Sequence, residues 1–175
     1  MPKSSKDQID VDEKKIIQEL QKNSKESIDK IAKKCGFSRQ KVWRVIKRLE
    51  KNKTIWGYHA VIEEEKIDRK RYIMLIKRSN NPIGDSIDKI IDLTMHQKGI
   101  DIGVEVHCSS YLHGQYDWIF VFSAQNIKDA KKFSELLSRE YHNIISETIL
   151  LEDIFSVKKC HVVNPNVKKF KELFE

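Results

Sequence analysis

The sequence has few of the residues and segments that define several common protein classes. Its three cysteines, Cys35, Cys108 and Cys160, are widely separated and form no CxxC pair. They argue against a disulfide framework and a zinc finger, and they fit a reducing cytoplasm. The longest apolar runs, Tyr72 to Ile76 and Trp118 to Phe122, have the length of strands, well below the roughly 20 residues of a membrane helix. No apolar stretch follows the polar N-terminus, so no secretory signal is expected.

Catalytic fingerprints are absent from the sequence as well. It contains no GxSxG elbow, Walker loop, HExxH pair or Rossmann glycine pattern. His107, Cys108 and His113 lie near one expected turn, but neighbouring residues of a strand face opposite sides, so His107 and Cys108 should point apart. His113 is expected to be an exposed turn residue or an effector contact. We therefore predict that the chain is not an enzyme and has no metal site and no cofactor.

The positive charge of the chain is confined to its first third. Residues 1–60 contain 16 Lys and Arg against 8 Asp and Glu, which gives +8, whereas residues 61–175 contain 17 against 18, which gives −1. A basic module joined to a nearly neutral one is typical of a polyanion-binding head on a different body. With 34% charged and 39% apolar residues, we expect a soluble protein with a true core. The abundance of Lys and Ile indicates an A·T-rich genome and a prokaryotic source.

Three helices are predicted in this basic part. The first should follow a loose segment, residues 1–9, and begin at Asp10 or Asp12, because Asp10 and Glu13 have capping-box spacing. It should end at Asn23. Each helix carries one apolar stripe at helical spacing, formed in turn by Ile16, Ile17 and Leu20, by Ile28, Ile31, Ala32 and Cys35, and by Val42, Val45, Ile46 and Leu49.

The second and third helices are joined by a tight turn. Ser27 and Ser38 are good N-caps, Gly36 permits a left-handed C-cap, and Asn52 can close the third helix. Phe37 is expected to be a core residue in the turn. The segment from residue 27 to residue 52 is therefore predicted to be a helix-turn-helix.

The pattern changes to mixed strands and helices after the third helix. The expected elements are a strand at 55–62, a charged hinge at 63–70, a strand at 71–77, a helix at 85–97, a strand at 102–111, a turn at 114–117, a strand at 118–123, a helix at 127–141, a strand within 144–157 and a tail helix at 164–174. From residue 71 the order is βαββαβ, which predicts a ferredoxin-like antiparallel sheet with two helices on one face. The other face must be covered or form an interface.

The predicted fold class is therefore α+β with two domains. A three-helix, winged-helix-like helix-turn-helix domain occupies residues 1–54, and a connecting strand and hinge occupy residues 55–70. A ferredoxin-like domain is expected at residues 71–159, followed by a C-terminal tail helix at residues 160–175.

The outer face of the third helix carries the residues that we expect to read DNA sequence. Gln40, Arg44, Lys47 and Lys51 lie opposite the apolar stripe, at i, i+4, i+7 and i+11. Side chains in the first turns of a recognition helix meet base edges in the major groove. Arg can bind guanine and Gln can bind adenine through two hydrogen bonds. Arg39, Gln40 and Arg44 are therefore predicted to contact bases.

The remaining basic residues of this helix are expected to position the protein. Lys47, Arg48 and Lys51 are predicted to contact phosphates, and Ser38 is expected to contact a phosphate as well as to cap the helix. Trp43 either is half buried or lies against the sugar-phosphate backbone. Any amphipathic helix has a charged outer face. The helix-turn-helix spacing, the confined positive charge and the second domain together favour double-stranded DNA as the partner.

The sequence resembles the leucine-responsive/asparagine-responsive (Lrp/AsnC) family of transcriptional regulators. The matching segments are Asp12 to Leu20 in the first helix, IDKIAKKCGFSRQKVWRVIKRLEKN through the helix-turn-helix, IWGYHAVIE in the connecting strand and LHGQYDWIFVF in the second domain. The resemblance covers about residues 10–158. It is carried by the joint order of the segments rather than by any one of them.

The resemblance implies a regulator that binds DNA as a homodimer, which assembles further into tetramers or octamers. It implies that the C-terminal domains pair sheet to sheet. It also implies an amino-acid effector bound between dimers near a Gly-x-Tyr-Asp turn, which here is Gly114, Tyr116 and Asp117. Glycine allows a ligand to approach closely, and a carboxylate can pair with an α-ammonium group. Gly114 and Asp117 are explained equally well as ordinary hairpin turn residues.

The sequence departs from the family pattern at three places. Val45 stands where the family usually has Arg, Lys53 stands where it has Gly, and residues 142–144 replace the usual Pro-Gly-Val. These differences affect one DNA contact, the closure of the third helix and the ligand loop.

Two alternatives to a regulator stay open. Sirohaem decarboxylases resemble these regulators in architecture and would use His and Arg at a tetrapyrrole cleft in the second domain. The chain could also be a small-molecule sensor or assembly module that does not bind DNA. The basic outer face of the third helix favours the regulator.

Overall fold

The chain folds into two compact units. The structure, a computed structural model, describes residues 5–175, with side chains described from residue 11 onward. The first unit, here called the head unit, runs up to Val61 and resumes at Val157–Glu175. The second, here called the sheet unit, is Ile62–Ser156. Residues 157–175, most of which were predicted to form a separate tail, therefore pack with the helix-turn-helix.

The head unit contains the three predicted helices, α1 (Ser5–Lys22), α2 (Ile28–Cys35) and α3 (Arg39–Lys51). Their apolar stripes meet in one core, whose buried members are Ile16, Ile31, Ala32, Val42, Val45 and Leu49. Phe37 packs against this core from the turn, as expected. The helices α2 and α3 are strongly amphipathic, and this explains the packing, because each helix has only one apolar stripe to bury.

The start of α1 differs from the prediction. The helix already begins at Ser5, so residues 5–9 are helical and Asp10 and Asp12 lie inside the helix rather than at its cap. Residues 1–4 of the expected loose segment lie outside the described residues. Instead of forming a capping box, the acidic side chains of α1 form ion pairs with α3: Asp12 pairs with Lys41, and Glu13 pairs with Arg48.

The connecting strand predicted at residues 55–62 is not formed. The chain turns at Lys53, which has a positive φ of 62°, and residues 56–63 belong to no helix or strand. The segment is exposed, and Trp56 is 95% exposed. Its alternating aromatic and β-branched residues favour extended backbone, but a strand also needs a neighbour for its hydrogen bonds. No described strand pairs with this segment.

The sheet unit is built on four antiparallel strands in the order β2-β3-β1-β4, which confirms the ferredoxin-like prediction. The strands are β1 (Lys70–Arg78), β2 (Glu105–Tyr111), β3 (Trp118–Ala124) and β4 (Ile145–Asp153). The predicted hinge contains a 3-10 helix, Glu64–Ile67, whose buried Glu64 forms an ion pair with Arg71. One face of the sheet meets the helices α4 (Ser86–Ile91), α5 (Thr94–Asp101) and α6 (Ile127–Glu140) through Tyr72, Met74, Ile76, Trp118, Phe120 and Phe122.

The helix predicted at residues 85–97 is split. The structure has α4 (Ser86–Ile91) and α5 (Thr94–Asp101), separated by Leu93 with a positive φ of 55°. The break lets α5 turn Met95 and Gly99 into the core, while Ile87 and Ile91 stay exposed. One straight helix could not bury the predicted stripe and also place Gly99 against Phe133 of α6 (Ile127–Glu140). The core contact therefore overrides the local helical signal.

The face of the sheet opposite these helices is apolar, and we call it the open face. Its members are Ile73 and Leu75 in β1, Ile119 and Val121 in β3, and Ile149 and Leu151 in β4. The register aligns Val121, Ile73 and Leu151 in one row across the strands, and Ile119, Leu75 and Ile149 in the next.

The C-terminal residues form a hairpin and a 3-10 helix. The hairpin consists of β5 (Lys158–Lys159) and β6 (Val162–Val163), and Val167–Leu173 follows as a 3-10 helix instead of the predicted α-helix from Asn164. Its apolar residues stay largely outside, and Phe174 is 78% exposed. A short helix that buries so little lacks the packing that normally stabilises an α-helix. Across the described residues, none of the helices combines the length and apolar character that a membrane crossing requires.

Candidate nucleic-acid interface

Local capping fixes where α3 begins and ends. The Ser38 hydroxyl accepts a hydrogen bond from the backbone N–H of Lys41 (3.2 Å), and Gly36 adopts the left-handed conformation at φ 71°. The Ser27 hydroxyl caps α2 in the same way through the N–H of Lys30. Asn52 ends α3. These caps and the glycine are where the sequence predicted them, so the turn presents α3 in a defined orientation.

A partly buried ion pair joins the first turn of α3 to α1. The Lys41 ammonium lies 2.5 Å from a carboxylate oxygen of Asp12, whose side chain is only 8% exposed. The same ammonium lies 4.0 Å from the centre of the Phe37 ring. A partly buried lysine is stabilised by both contacts, since a carboxylate and an aromatic face each attract a cation. Lys41 therefore anchors the helix and does not belong to its outer face.

The outer face of α3 presents the side chains that were predicted to read DNA. Arg39, Gln40, Trp43 and Arg44 line one shallow concavity at the start of the helix. Trp43 is 51% exposed and lies outside the buried core of the head unit. The four side chains come from two successive turns. Together they offer guanidinium and amide donors and an indole ring.

The cations of this face differ in how firmly they are held. Arg39 lies 3.6 Å from Asp29, Lys47 lies 2.9 Å from Glu50, and Arg48 lies 2.6 Å from Glu13. The Lys47 ammonium lowers the pKa of Glu50 below its ordinary value through a hydrogen bond. Arg44 makes no ion pair with any side chain that the structure describes, and the same holds for Lys51. Arg44 is thus the guanidinium most available to a new partner.

The two units differ sharply in charge. Residues 1–61 and 157–175 contain 21 Lys and Arg against 10 Asp and Glu, a net charge of +11, whereas residues 62–156 contain 12 against 16, a net charge of −4. The C-terminal segment thus adds to the positive charge of the helix-turn-helix. Such a field attracts polyanions to the head unit and not to the sheet unit.

The predicted effector turn lies at the start of β3 and is tied to β1. An Asp117 carboxylate oxygen accepts a hydrogen bond from the backbone N–H of Arg78 (2.8 Å), and the Asp117 N–H donates to the carbonyl oxygen of Ile76 (2.9 Å). Tyr116 is half buried. Gly114 is exposed, and a Cβ there would meet nothing within 4 Å. The structure therefore gives Asp117 a structural partner and leaves open space beside Gly114.

The histidine and cysteine residues near this turn are arranged differently from the expectation. The pairing of β2 with β3 shifts between Val106 and Cys108, so His107 falls at an irregularity in the ladder. His107 and Cys108 line the same cavity of about 250 Å³ instead of being separated by the sheet. A bulge of this kind breaks the alternation of faces on which the prediction relied. Burial lowers the pKa of His107. Within residues 11–175, no group of three or more metal-ligating side chains is gathered.

Comparison with known proteins agrees with this architecture. Residues 13–55 match the family model described as winged helix-turn-helix DNA-binding. The leucine-responsive regulatory protein of Haemophilus influenzae is 38% identical over 68 residues, which is 39% of this chain and 41% of that protein. The aligned region thus spans less than half of that curated relative.

Solved structures show the same fold over most of the chain. An AsnC family transcriptional regulator from Agrobacterium tumefaciens has a TM-score of 0.59 at 19% identity, and the match covers 85% of this chain and 92% of that one. A transcriptional regulator from Neisseria meningitidis in complex with L-Met has a TM-score of 0.64 at 18% identity, with 89% and 96% covered.

The chain therefore combines a segment, residues 13–55, that matches the winged helix-turn-helix model with a second unit that is an antiparallel α+β domain. Its helix-turn-helix region is similar to that of a leucine-responsive regulatory protein, and its fold is similar to that of solved AsnC-type regulators, in agreement with the resemblance drawn from the sequence.

Proposed function

We propose that the chain is a sequence-specific, double-stranded DNA-binding transcriptional regulator of the Lrp/AsnC type. One observation carries the proposal. The exposed face of α3 gathers Arg39, Gln40, Trp43 and Arg44 on the unit that holds the positive charge of the molecule. In this proposal the chain is a binding protein of the cytoplasm and not an enzyme.

The proposed DNA contacts of α3 are of two kinds: some read the base sequence, and others bind phosphates and position the protein. Arg39, Gln40 and Arg44 lie in the first turns of α3 and are assigned to base edges in the major groove. Trp43 lines the same concavity, and its half-exposed ring is assigned to the sugar-phosphate backbone.

Phosphate contacts are assigned to Lys47, Arg48, Lys51 and Ser38. Arg48 must give up or share its ion pair with Glu13 to reach a phosphate, so it is expected to contribute less than Lys51. The Ser38 oxygen accepts the capping hydrogen bond, which leaves its O–H able to donate.

Assembly is assigned to the open face of the sheet. Two rows of apolar side chains cross β3, β1 and β4, and Leu151 is 44% exposed. A contiguous apolar face of this kind is normally an interface. A second copy of the chain presents the same surface and can cover it symmetrically. We assign a homodimer to this face and further assembly into tetramers or octamers to other surfaces.

The effector is proposed to be an amino acid held at Gly114, Tyr116 and Asp117. The Neisseria meningitidis regulator of the same fold was solved with L-Met, which supports an amino acid as the ligand class. Asp117 uses one carboxylate oxygen for the Arg78 N–H and has a second oxygen to offer an α-ammonium group.

The test combines site selection with a matched pair of variants. Binding sites are selected from random and genomic DNA, with and without a panel of amino acids. Arg44→Ala/Lys47→Ala is then compared with Lys131→Ala/Lys132→Ala, which removes the same charge from the exposed side of α6. We expect the first variant to lose affinity by about tenfold or more with its oligomer intact, and the second to bind normally. Equal affinity of the first variant and the wild type would overturn the assignment of α3.

A further inference from the structure

A second cavity lies within the head unit, away from the outer face of α3. Its walls are the end of α1 with the following loop (residues 17–25), the irregular segment Thr54–Val61 and the hairpin tip at residues 160–162. The cavity has a volume of about 480 Å³. Pockets for small ligands span about 300–1,000 Å³, so this one is large enough for a compact metabolite.

The cavity offers an apolar and aromatic lining. Ile17 and Leu20 of α1 are partly buried there, and Trp56 and Tyr58 come from the irregular segment. The Tyr58 hydroxyl donates a hydrogen bond to Glu50 (3.2 Å), which fixes the position of its ring. Trp56 is 95% exposed, so its indole has no competing packing and can close over a bound molecule.

The polar groups of the cavity are suited to an anion. Lys25, His59 and His161 line it, together with Lys22, which is engaged by Glu19 at 2.5 Å. None of the described residues that line the cavity is Asp or Glu. An ammonium group would find no carboxylate among these residues, whereas a carboxylate would find a lysine and two imidazoles as hydrogen-bond donors.

The hairpin tip keeps an unfavourable backbone beside this cavity. Cys160 and His161 have positive φ values of 42° and 69°, a pair of conformations that a two-residue hairpin turn normally assigns to Asn and Gly. Both residues line the cavity. Left-handed backbone at residues other than Gly and Asn is costly and is retained mainly where side chains have a function. The strained backbone of Cys160 and His161 therefore indicates a functional role at the same cavity that the lining residues indicate.

From these observations we infer that the cavity is a binding site for a small aryl carboxylate. The aromatic body lies on Ile17 and Leu20 and is covered by Trp56. The carboxylate is held by Lys25 and His161. The site differs in charge preference from the turn at Asp117, because it selects for an anion and against an ammonium group.

The test is calorimetric titration of the full chain with indole-3-acetate and phenylacetate, with tryptamine as the cationic counterpart of the same ring. We expect both carboxylates to bind with dissociation constants in the range of about 10 μM to 1 mM. Tryptamine should bind at least about tenfold more weakly. The absence of carboxylate binding up to about 10 mM, or equal binding of tryptamine, overturns the proposal.

Two variants locate the site. Lys25→Gln/His161→Asn removes both proposed carboxylate contacts, and Asn tolerates the left-handed backbone at position 161. Trp56→Ala changes only an exposed ring and so keeps the fold even if the double variant does not. Each should weaken carboxylate binding by about tenfold, while the control Lys131→Gln/Lys132→Gln binds normally. If Trp56→Ala binds the carboxylates as tightly as the wild type, and the double variant does so too wherever it folds, the ligand binds elsewhere.

Discussion

At the scale of single residues, similar side chains on α3 have different roles because their neighbours differ. Arg44 and Arg48 stand one turn apart, yet Arg48 is paired with Glu13 of α1 at 2.6 Å and Arg44 has no described ion pair. Lys41 is also basic but is committed to Asp12 and Phe37. Charge alone therefore does not predict how much a residue contributes to DNA binding, and we expect the largest contribution from a cation without a described internal partner.

This difference can be measured with Arg44→Ala and Arg48→Ala. Losing Arg44 should cost about 1–3 kcal/mol of DNA binding and relax the preference at one base pair, with thermal stability unchanged. Losing Arg48 should weaken binding to all sequences alike and lower the free energy of unfolding by about 0.5 kcal/mol, since its pair with Glu13 is partly exposed. Fluorescence anisotropy and urea unfolding report the two effects. If Arg48→Ala instead changed the base preference and Arg44→Ala lowered the stability, the assignment of the outer face of α3 would be wrong.

Asp117 can be tested without disturbing the turn it stabilises. Asp117→Asn keeps an oxygen for the Arg78 N–H but removes the negative charge, whereas Asp117→Ala removes both. With L-methionine as the probe, we expect Asn to fold normally and to lose affinity by about tenfold or more, because charge-assisted hydrogen bonds are the strong ones. If the Asn variant bound methionine as tightly as the wild type, Asp117 would be only a turn residue.

At the scale of helices and strands, the sequence predicted what local chemistry decides. Ser27, Gly36, Ser38 and Asn52 act within a few residues of themselves, and all four ends are as expected. The outer face of α3 followed from its spacing for the same reason. The long-range partners of Lys41 and Arg48 could not be predicted, because Asp12 was also a candidate N-cap and Glu13 also had capping-box spacing from Asp10.

The errors fall where distant contacts decide. Residues 55–62 have the composition of a strand, but no described strand offers them a partner. Residues 85–97 have the period of one helix, yet the core places Gly99 against Phe133 and breaks the helix at Leu93. The sequence of a segment alone shows neither whether a strand will have a pairing partner nor whether a helix must pack closely against another helix.

Gly99 provides a direct test of the contact between α5 and α6. A Cβ at this position would lie 3.2 Å from Phe133 Cε2 and 3.2 Å from the Val104 carbonyl oxygen. Gly99→Ala should therefore lower the free energy of unfolding by about 1–3 kcal/mol, despite the better helix propensity of Ala. Gly114→Ala is the control, because a Cβ there meets nothing within 4 Å. Equal stability of the two variants in urea unfolding would mean that α5 can shift freely.

A carboxylate holds the three helices of the sheet unit together and makes their stability depend on pH. Glu140 of α6 pairs with Lys89 of α4 and Lys98 of α5, and hydrogen bonds from these ammonium groups lower its pKa from 4.5 to about 2. Because the folded pKa lies below the unfolded one, the stabilisation is complete above about pH 4.5 and is lost as the pH falls towards 2.

The corresponding variant is Glu140→Gln. We expect it to be less stable than the wild type at neutral pH, and the two urea midpoints should converge as the pH approaches about 2. Lys131→Gln, on the exposed side of the same helix, should run parallel to the wild type throughout. A constant difference between Glu140→Gln and the wild type at every pH would exclude this ion pair as its cause.

At the scale of the whole molecule, the separation of charge should govern DNA binding. A head unit of +11 beside a sheet unit of −4 concentrates the attraction for phosphates on one part of the chain. If each protomer neutralises about four to six phosphates, the logarithm of the binding constant should fall with the logarithm of salt concentration with a slope of about −4 to −5. Anisotropy titrations between low and physiological salt measure this slope. Binding that is insensitive to salt would contradict the proposal.

The head unit is discontinuous in the sequence, and this has a consequence for how the molecule is made. Its three helices are synthesised before the sheet unit, but the hairpin that packs with them is synthesised after it. Domains generally fold as units during synthesis. Here the sheet unit has every residue it needs before the head does. During synthesis the sheet unit is therefore complete before the head unit, and a chain truncated before residue 157 would contain a whole sheet unit and an incomplete head unit.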